Sequence, residues 1–412
     1  MSAGTEAGTG TESALAAPEV GPRLEALRAL CASTGARPRR GVNLHLHTNH
    51  SFSSFRSPTE AVAQAVGEGL AVLGINDHYT VAGHEEFRLA CAIAGIPATF
   101  SMEAVAMDRD AAAAGELIND PNNPGRAYLC AKGVTRRPPD GSEPARMLAG
   151  LRTALEERNR AMAGRLDEVF RQRLGSAGPS WDEVVGLTPA GNVTERHLAK
   201  AAWLALEQRG GGGKGTATLC ERLCAARPTT LEAAGLQGFI RAKLLKAGGP
   251  CYVAESPEAF LSFEDMRRMF LGFGAIPTYP ALLDPVTVWE QDVPLLFDRL
   301  EERGFLALEV IPARNTRDRL GALVKEARRR WWPVFSGTEH NTPEPGPLLD
   351  EFSLDPEFEG WFADSAAVLL GHQAERAGGR PGFIADDGWP GMADARHRFG
   401  CMRDSGRRVW KK

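Results

Sequence analysis

Residues 41–54, GVNLHLHTNHSFSS, decide the fold together with two stretches that follow, AVLGINDHYTVAGHEEF at 71–87 and IPATFSMEAVAM at 96–107. The first is strand-like text in which His45 and His47 lie two apart, a spacing that sends both imidazoles to one side of a strand. Pro58-Thr59-Glu60 opens a helical stretch reaching Gly69, an apolar run then ends on Asp77 and His78, and a second helix covers about Glu85 to Ala94 before the run through Glu103. The order strand, helix, strand, helix, strand predicts parallel strands with crossover helices.

Further along the chain the text becomes strongly helical, as in ARMLAGLRTALEERNRAMAGRLDEVFRQRL at 145–174, with more helices expected around Glu195 to Glu207 and Thr218 to Ala226. Alternation resumes with FGAIPTYP, FLALEVIP, a basic helix to Arg330 and WPVFSGTEH. The expected organisation is a flexible N-terminal tail over 1–38, a barrel over 39–345 interrupted by a helical insertion at 134–250, and a C-terminal extension over 346–412. The run Gly210 to Gly213 reads as a loop, since Lys214 is followed by Gly215 and not by Ser or Thr as a Walker loop requires.

Of 412 residues, 48 Lys+Arg stand against 52 Asp+Glu, a net charge of -4 that provides no chain-wide positive field for nucleic acid or an anionic membrane. No apolar run is long enough to span a bilayer and the N-terminus lacks a secretory pattern, so a cytoplasmic protein is expected. Seven scattered cysteines fit reduced thiols better than a disulfide framework. Cys220 and Cys224 share a helical face, but no second cysteine or histidine pair nearby completes a zinc site.

Five of the nine histidines fall between His45 and His84. Strand ends carrying His45 and His47, Asp77 and His78, Glu103, and Glu339-His340-Asn341 would meet at one mouth if the strands form a parallel barrel. Mixed nitrogen and carboxylate ligands suit zinc, manganese or iron. Lys132 and Arg314 also stand at strand ends, where either could neutralise a phosphate.

The runs HLHTNHS, INDHYTVAGHEEF and FSMEAV, continued by ERHLAKAAWLAL, KAGGPCYVAES, FGAIPTYP, LEVIPARN and SGTEHN, resemble the polymerase and histidinol phosphatase (PHP) superfamily over about residues 41–345. The helical insertion followed by GGPCYV is similar to the branch with nucleotide and oligonucleotide phosphoesterases. The resemblance implies a distorted (β/α)7 barrel with an inserted helical subdomain, whose mouth binds divalent metal ions and mostly hydrolyses phosphate esters. It implies His45, His47, His78, Glu103, Glu339 and His340 as metal ligands, Asp77 as a group orienting a ligand, and His197 as a catalytic residue near substrate; Lys132, Arg314 and Asn341 are expected to bind substrate. Tyr128, Tyr279 and Asn341 depart from the family pattern, so one or two metals are expected in place of three. The expected activity is a metal-dependent phosphoesterase acting through metal-activated water on a phosphate monoester or small nucleotide. The alternatives are a metal- or ligand-binding protein of the same fold with reduced or lost catalysis, and a carbon-nitrogen hydrolase.

Overall fold

A computed structural model describes residues 14–35, 38–283 and 285–411. The strand-like text forms β1 (Arg40–Leu46), β2 (Leu70–His78) and β3 (Ala98–Met107), each buried over most of its length. Helix α2 (Pro58–Glu68) starts where Ser57 accepts a hydrogen bond from the Glu60 amide with Pro58 at its first position, and it stops at the left-handed Gly69. Helix α3 (His84–Ala94) supplies the second crossover, so β1, β2 and β3 pair in parallel.

The seven strands lie in the order β1 to β7 and nearly close into a barrel. The fourth, β4 (Arg126–Lys132), departs from the all-parallel expectation: it is antiparallel both to β3 and to β5 (Ile276–Ala281). Strands β6 (Leu308–Val310) and β7 (Val334–Ser336) resume the parallel order. Closure is made just beyond β7, where the Glu339 amide donates to the His45 carbonyl at 2.9 Å and the His47 amide donates to the Glu339 carbonyl at 2.8 Å. Gly337 permits this approach, since a Cβ there would lie 2.3 Å from the His45 Cβ.

A short helix, α4 (Arg109–Ala113), links β3 to β4, and between β4 and β5 stand α5 (Glu143–Leu174), α6 (Trp181–Val185), α7 (Glu195–Gly210), α8 (Gly213–Cys224) and α9 (Ala233–Ile240), the last running into a π turn at Arg241–Leu245. These helices enclose an apolar core of their own, in which Leu166, Phe170, Leu198, Leu223 and Ile240 are buried and Cys220 and Cys224 take part as free thiols.

The first and last described helices pack on the barrel. Residues 20–34, expected in a tail, form helix α1 (Val20–Thr34), because Leu24 and Leu27 find apolar cover and Arg23 pairs with the buried Glu86 at 2.7 and 3.0 Å. Residues 1–13 of that expected tail lie outside the described residues. Three helices, α10 (Phe263–Gly272), α11 (Val293–Glu302) and α12 (Arg317–Arg330), flank β5, β6 and β7. Beyond β7, α13 (Glu359–Ala377) and α14 (Ala395–Trp410) pair, adding Phe362, Leu369 and Phe399 to the main core. Among the described residues, no helix is long and apolar enough to cross a membrane.

Candidate metal centre

His45 on β1, His47 just beyond it, His78 at the end of β2 and Glu103 on β3 come together at the barrel mouth. The His45 and His47 Nε2 atoms are 3.0 Å apart, and Glu103 Oε2 lies 3.6 Å from His45 Nε2, 3.4 Å from His47 Nε2 and 3.4 Å from His78 Nδ1. His45 and His47 are fully buried. Burial lowers the pKa of all three imidazoles, His47 and His78 to about 4, so they are neutral at neutral pH.

The surrounding hydrogen bonds fix the tautomers. Asp77 accepts from the Thr48 amide and hydroxyl, each at 2.7 Å, and from the Ser51 hydroxyl at 2.6 Å. With its proton on Asp77, the Ser51 oxygen accepts from His47 Nδ1 at 3.0 Å. His45 Nδ1 donates to Glu309. In both rings the proton is thereby held on Nδ1, which leaves two Nε2 lone pairs facing each other at 3.0 Å. Among the described residues His78 Nδ1 has no hydrogen-bond partner, while His45 Nε2 also has the Asn76 amide nitrogen at 3.0 Å. Two imidazole lone pairs 3.0 Å apart beside the Glu103 carboxylate repel one another unless a cation stands among them, so the donor set fits a divalent ion.

Below this cluster lies a second buried group that the sequence reading missed. Glu309, on β6, pairs with Lys132 at 2.5 Å; both side chains are wholly inaccessible, and Lys132 also donates to the Leu44 carbonyl at 3.0 Å. Burial lowers the Lys132 pKa to about 8. Lys132 was expected to meet substrate. Because β4 runs backwards, its C-terminal end points to the floor, with Lys132 opposite Ser101 on β3, while Tyr128, opposite Val105, is carried to the mouth. A carboxylate in an otherwise apolar run, LEVIP, was the one available sign of Glu309.

The remaining expected residues divide. The Glu339 carboxylate is held by Arg314 through two bonds, at 2.9 and 2.5 Å, and by Asn341 Nδ2 at 3.0 Å. Burial raises its pKa to about 7 against the opposing pull of Arg314. Among the described residues, the group that comes within shared metal reach of His45 and His47 contains Glu103 and not Glu339. His340 is not brought to the cluster. Glu339 and His340 both take left-handed conformations, with φ of 65° and 56°, and this turn directs the His340 ring onto Phe55, with its nitrogens bonded to Thr338 Oγ1 and the Gly346 carbonyl. His197 is also taken up structurally. Its Nδ1 accepts from the Thr194 amide at 3.0 Å, capping α7, and burial lowers its pKa to about 3. Tyr279 lies within the main core, its hydroxyl near Glu290 and the Ile118 carbonyl, away from the mouth.

Over the cluster opens a cavity of about 140 Å³, into which His78, Tyr128 and Asn341 project from the barrel and Arg158, Arg196 and Arg241 from the insertion. Asn192 ties that insertion to the mouth by donating to the carbonyls of His78 at 2.6 Å and His50 at 3.1 Å. Arg196 was missed by sequence reasoning although it immediately precedes His197 in ERHLAK.

Residues 43–169 match the family model of the PHP domain. No curated protein matches the chain. Among solved structures, a protein from Bifidobacterium adolescentis classed as a metal-dependent phosphoesterase aligns with a TM-score of 0.53 at 20% identity, covering 77% of this chain and 96% of the other. An amidohydrolase from Chromobacterium violaceum, with bound sulfate and no metal, aligns with a TM-score of 0.50 at 18% identity, covering 78% and 96%. At these identities the likeness is one of fold.

Proposed function

We propose that this chain, matched to the PHP domain over residues 43–169, is a metal-dependent hydrolase acting on a phosphate monoester or small nucleotide. The observation that carries the reading is the convergence of His45, His47 and His78 on the Glu103 carboxylate, with the His45 and His47 Nε2 atoms 3.0 Å apart, set beneath a cavity rich in arginine. His45, His47, His78 and Glu103 would hold the ion. When bound, a divalent ion supplies Lewis acidity that polarises a phosphoryl oxygen and makes water more acidic. The protein's own part is positional. Asp77 acts through Thr48 and Ser51 to hold the loop after β1 and the His47 ring, Glu309 fixes His45, and Arg314 with Asn341 holds Glu339 at the mouth. Against the one carboxylate of Glu195, the insertion brings Arg158, Arg196, Arg241 and Lys246 to the cavity, a surplus of positive charge that suits an ester phosphate and that an apolar amide or imine substrate has no use for. That charge favours phosphoester over carbon-nitrogen hydrolysis.

Two measurements on the purified chain test the proposal: metal content by elemental analysis, and phosphate release from monoesters with added manganese. The expected results are about one or two ions per chain and a rate abolished in a His45→Ala, His47→Ala double variant. A chain that holds metal and loses it in the double variant, yet releases no phosphate from any ester, would identify a binding protein. A chain without metal would overturn the reading altogether.

A further inference from the structure

Glu195 and Arg196 are successive residues at the start of α7, and their surroundings are opposite. Glu195 gathers three cations of the cavity: Lys246 at 2.8 Å, Arg158 at 3.0 Å and Arg241 at 3.5 Å. Arg126, across the cavity, is paired with Asp120 at 3.3 Å and with Glu255. Arg196 lines the same space and is half-buried, yet among the described residues no carboxylate stands at ion-pair distance from it. Among those residues its one side-chain hydrogen bond goes to a neutral acceptor, Asn341 Oδ1, at 3.3 Å. Asn341 in turn donates to Glu339, which Arg314 holds, so the Arg196 guanidinium is moored to the mouth without being neutralised there. Burial and the nearby charge of Arg241 depress its pKa to about 10, against the more distant pull of Glu339 and Glu344. Keeping a guanidinium partly desolvated and unpaired is unfavourable unless an anion arrives to complete it.

We propose that Arg196 is the anion receptor of the cavity, taking phosphoryl oxygens of the substrate, while Glu195 occupies the three neighbouring cations so that the site accepts one anionic group. The planar guanidinium suits two oxygens of a single phosphate. With Lys246, Arg158 and Arg241 all drawn onto one carboxylate of the protein, a second phosphate would have to compete with Glu195 for them. This assignment rests on the phosphoester reading but is testable apart from it.

The test is calorimetric titration of the full-length chain, in chelator, with inorganic phosphate and with pyrophosphate. Arg196→Ala is expected to weaken phosphate binding by about tenfold or more and Arg196→Lys by a smaller factor, since an ammonium keeps the charge but loses the fork. Glu195→Gln is expected to strengthen pyrophosphate several-fold more than phosphate. Wild-type protein that fails to bind phosphate, or an Arg196→Ala protein with unchanged circular dichroism that binds it as tightly as wild type, would overturn the assignment. Ester hydrolysis that persists alongside either result leaves the phosphoesterase reading standing. Phosphate binding that depends on Arg196 in a chain without hydrolytic activity does the reverse.

Discussion

Replacing Lys132 by methionine is the sharpest perturbation the barrel interior offers. The side chain keeps nearly the same length, so little cavity is made, but the ammonium 2.5 Å from Glu309 is removed. Both partners are wholly inaccessible to solvent, so no water replaces the lost charge, and Glu309 retains the His45 ring as its remaining partner. Removing one member of a buried pair costs about 3–5 kcal/mol, because the other is left as an uncompensated charge. A double variant, Lys132→Met with Glu309→Gln, removes that charge while keeping an acceptor for His45 Nδ1; its loss is expected to be only about 1–2 kcal/mol, the scale of a neutral hydrogen bond. The coupling energy of the pair would then be about 2 kcal/mol or more in a double-mutant cycle. Urea unfolding followed by circular dichroism, in chelator so that bound metal does not contribute, measures all four corners. A single variant within about 1 kcal/mol of wild type, or a double variant no more stable than the single, would refute the reasoning that this pair is dry and mutually dependent.

Two other outcomes follow from the same geometry. Ser51→Ala removes the link by which Asp77 sets the His47 tautomer, so divalent metal affinity should fall by about 10–100-fold with the fold intact, as read by titration against a competing chelator. His47 and His78 are neutral in the fold down to about pH 4 but take up protons near 6.5 once unfolded, so the unfolded chain binds more protons in that window and stability falls as pH drops through it. Glu339, raised to about 7, acts in the opposite direction between about 4.5 and 7. The imidazole effect is therefore isolated by comparison: without metal, wild type should lose stability relative to His78→Gln as pH falls from 6.5 to about 4, and parallel curves would contradict it.

The opening three strands were legible because each signal was local. The spacing of His45 and His47, the Pro58-Thr59-Glu60 start of α2 and the glycine ending it all sit within a few residues of what they determine. The reversal of β4 was not legible, since AYLCAK reads alike in either direction and only its neighbours decide its sense. That one reversal misplaced Lys132. His340 was misassigned for another reason: two consecutive left-handed residues without glycine are rare, and nothing in Glu339-His340-Asn341 announces them. Arg196 remained hidden because its importance lies in what it lacks, an absence set by where Glu195 points.

The reversed fourth strand also determines how the roof of the cavity is supported. Since β4 finishes at the floor, the chain must climb the flank of the barrel to reach the mouth, and α5 makes the climb: Pro144 packs so near Gly272 that a Cβ on the glycine would come within 2.2 Å, while Arg158, roughly 21 Å further along the same helix axis, reaches the cavity. The helix is thus a mast stepped in the keel. A side chain added at Gly272 would tilt its foot, and the displacement would be felt at the far end, among groups that never touch the altered residue.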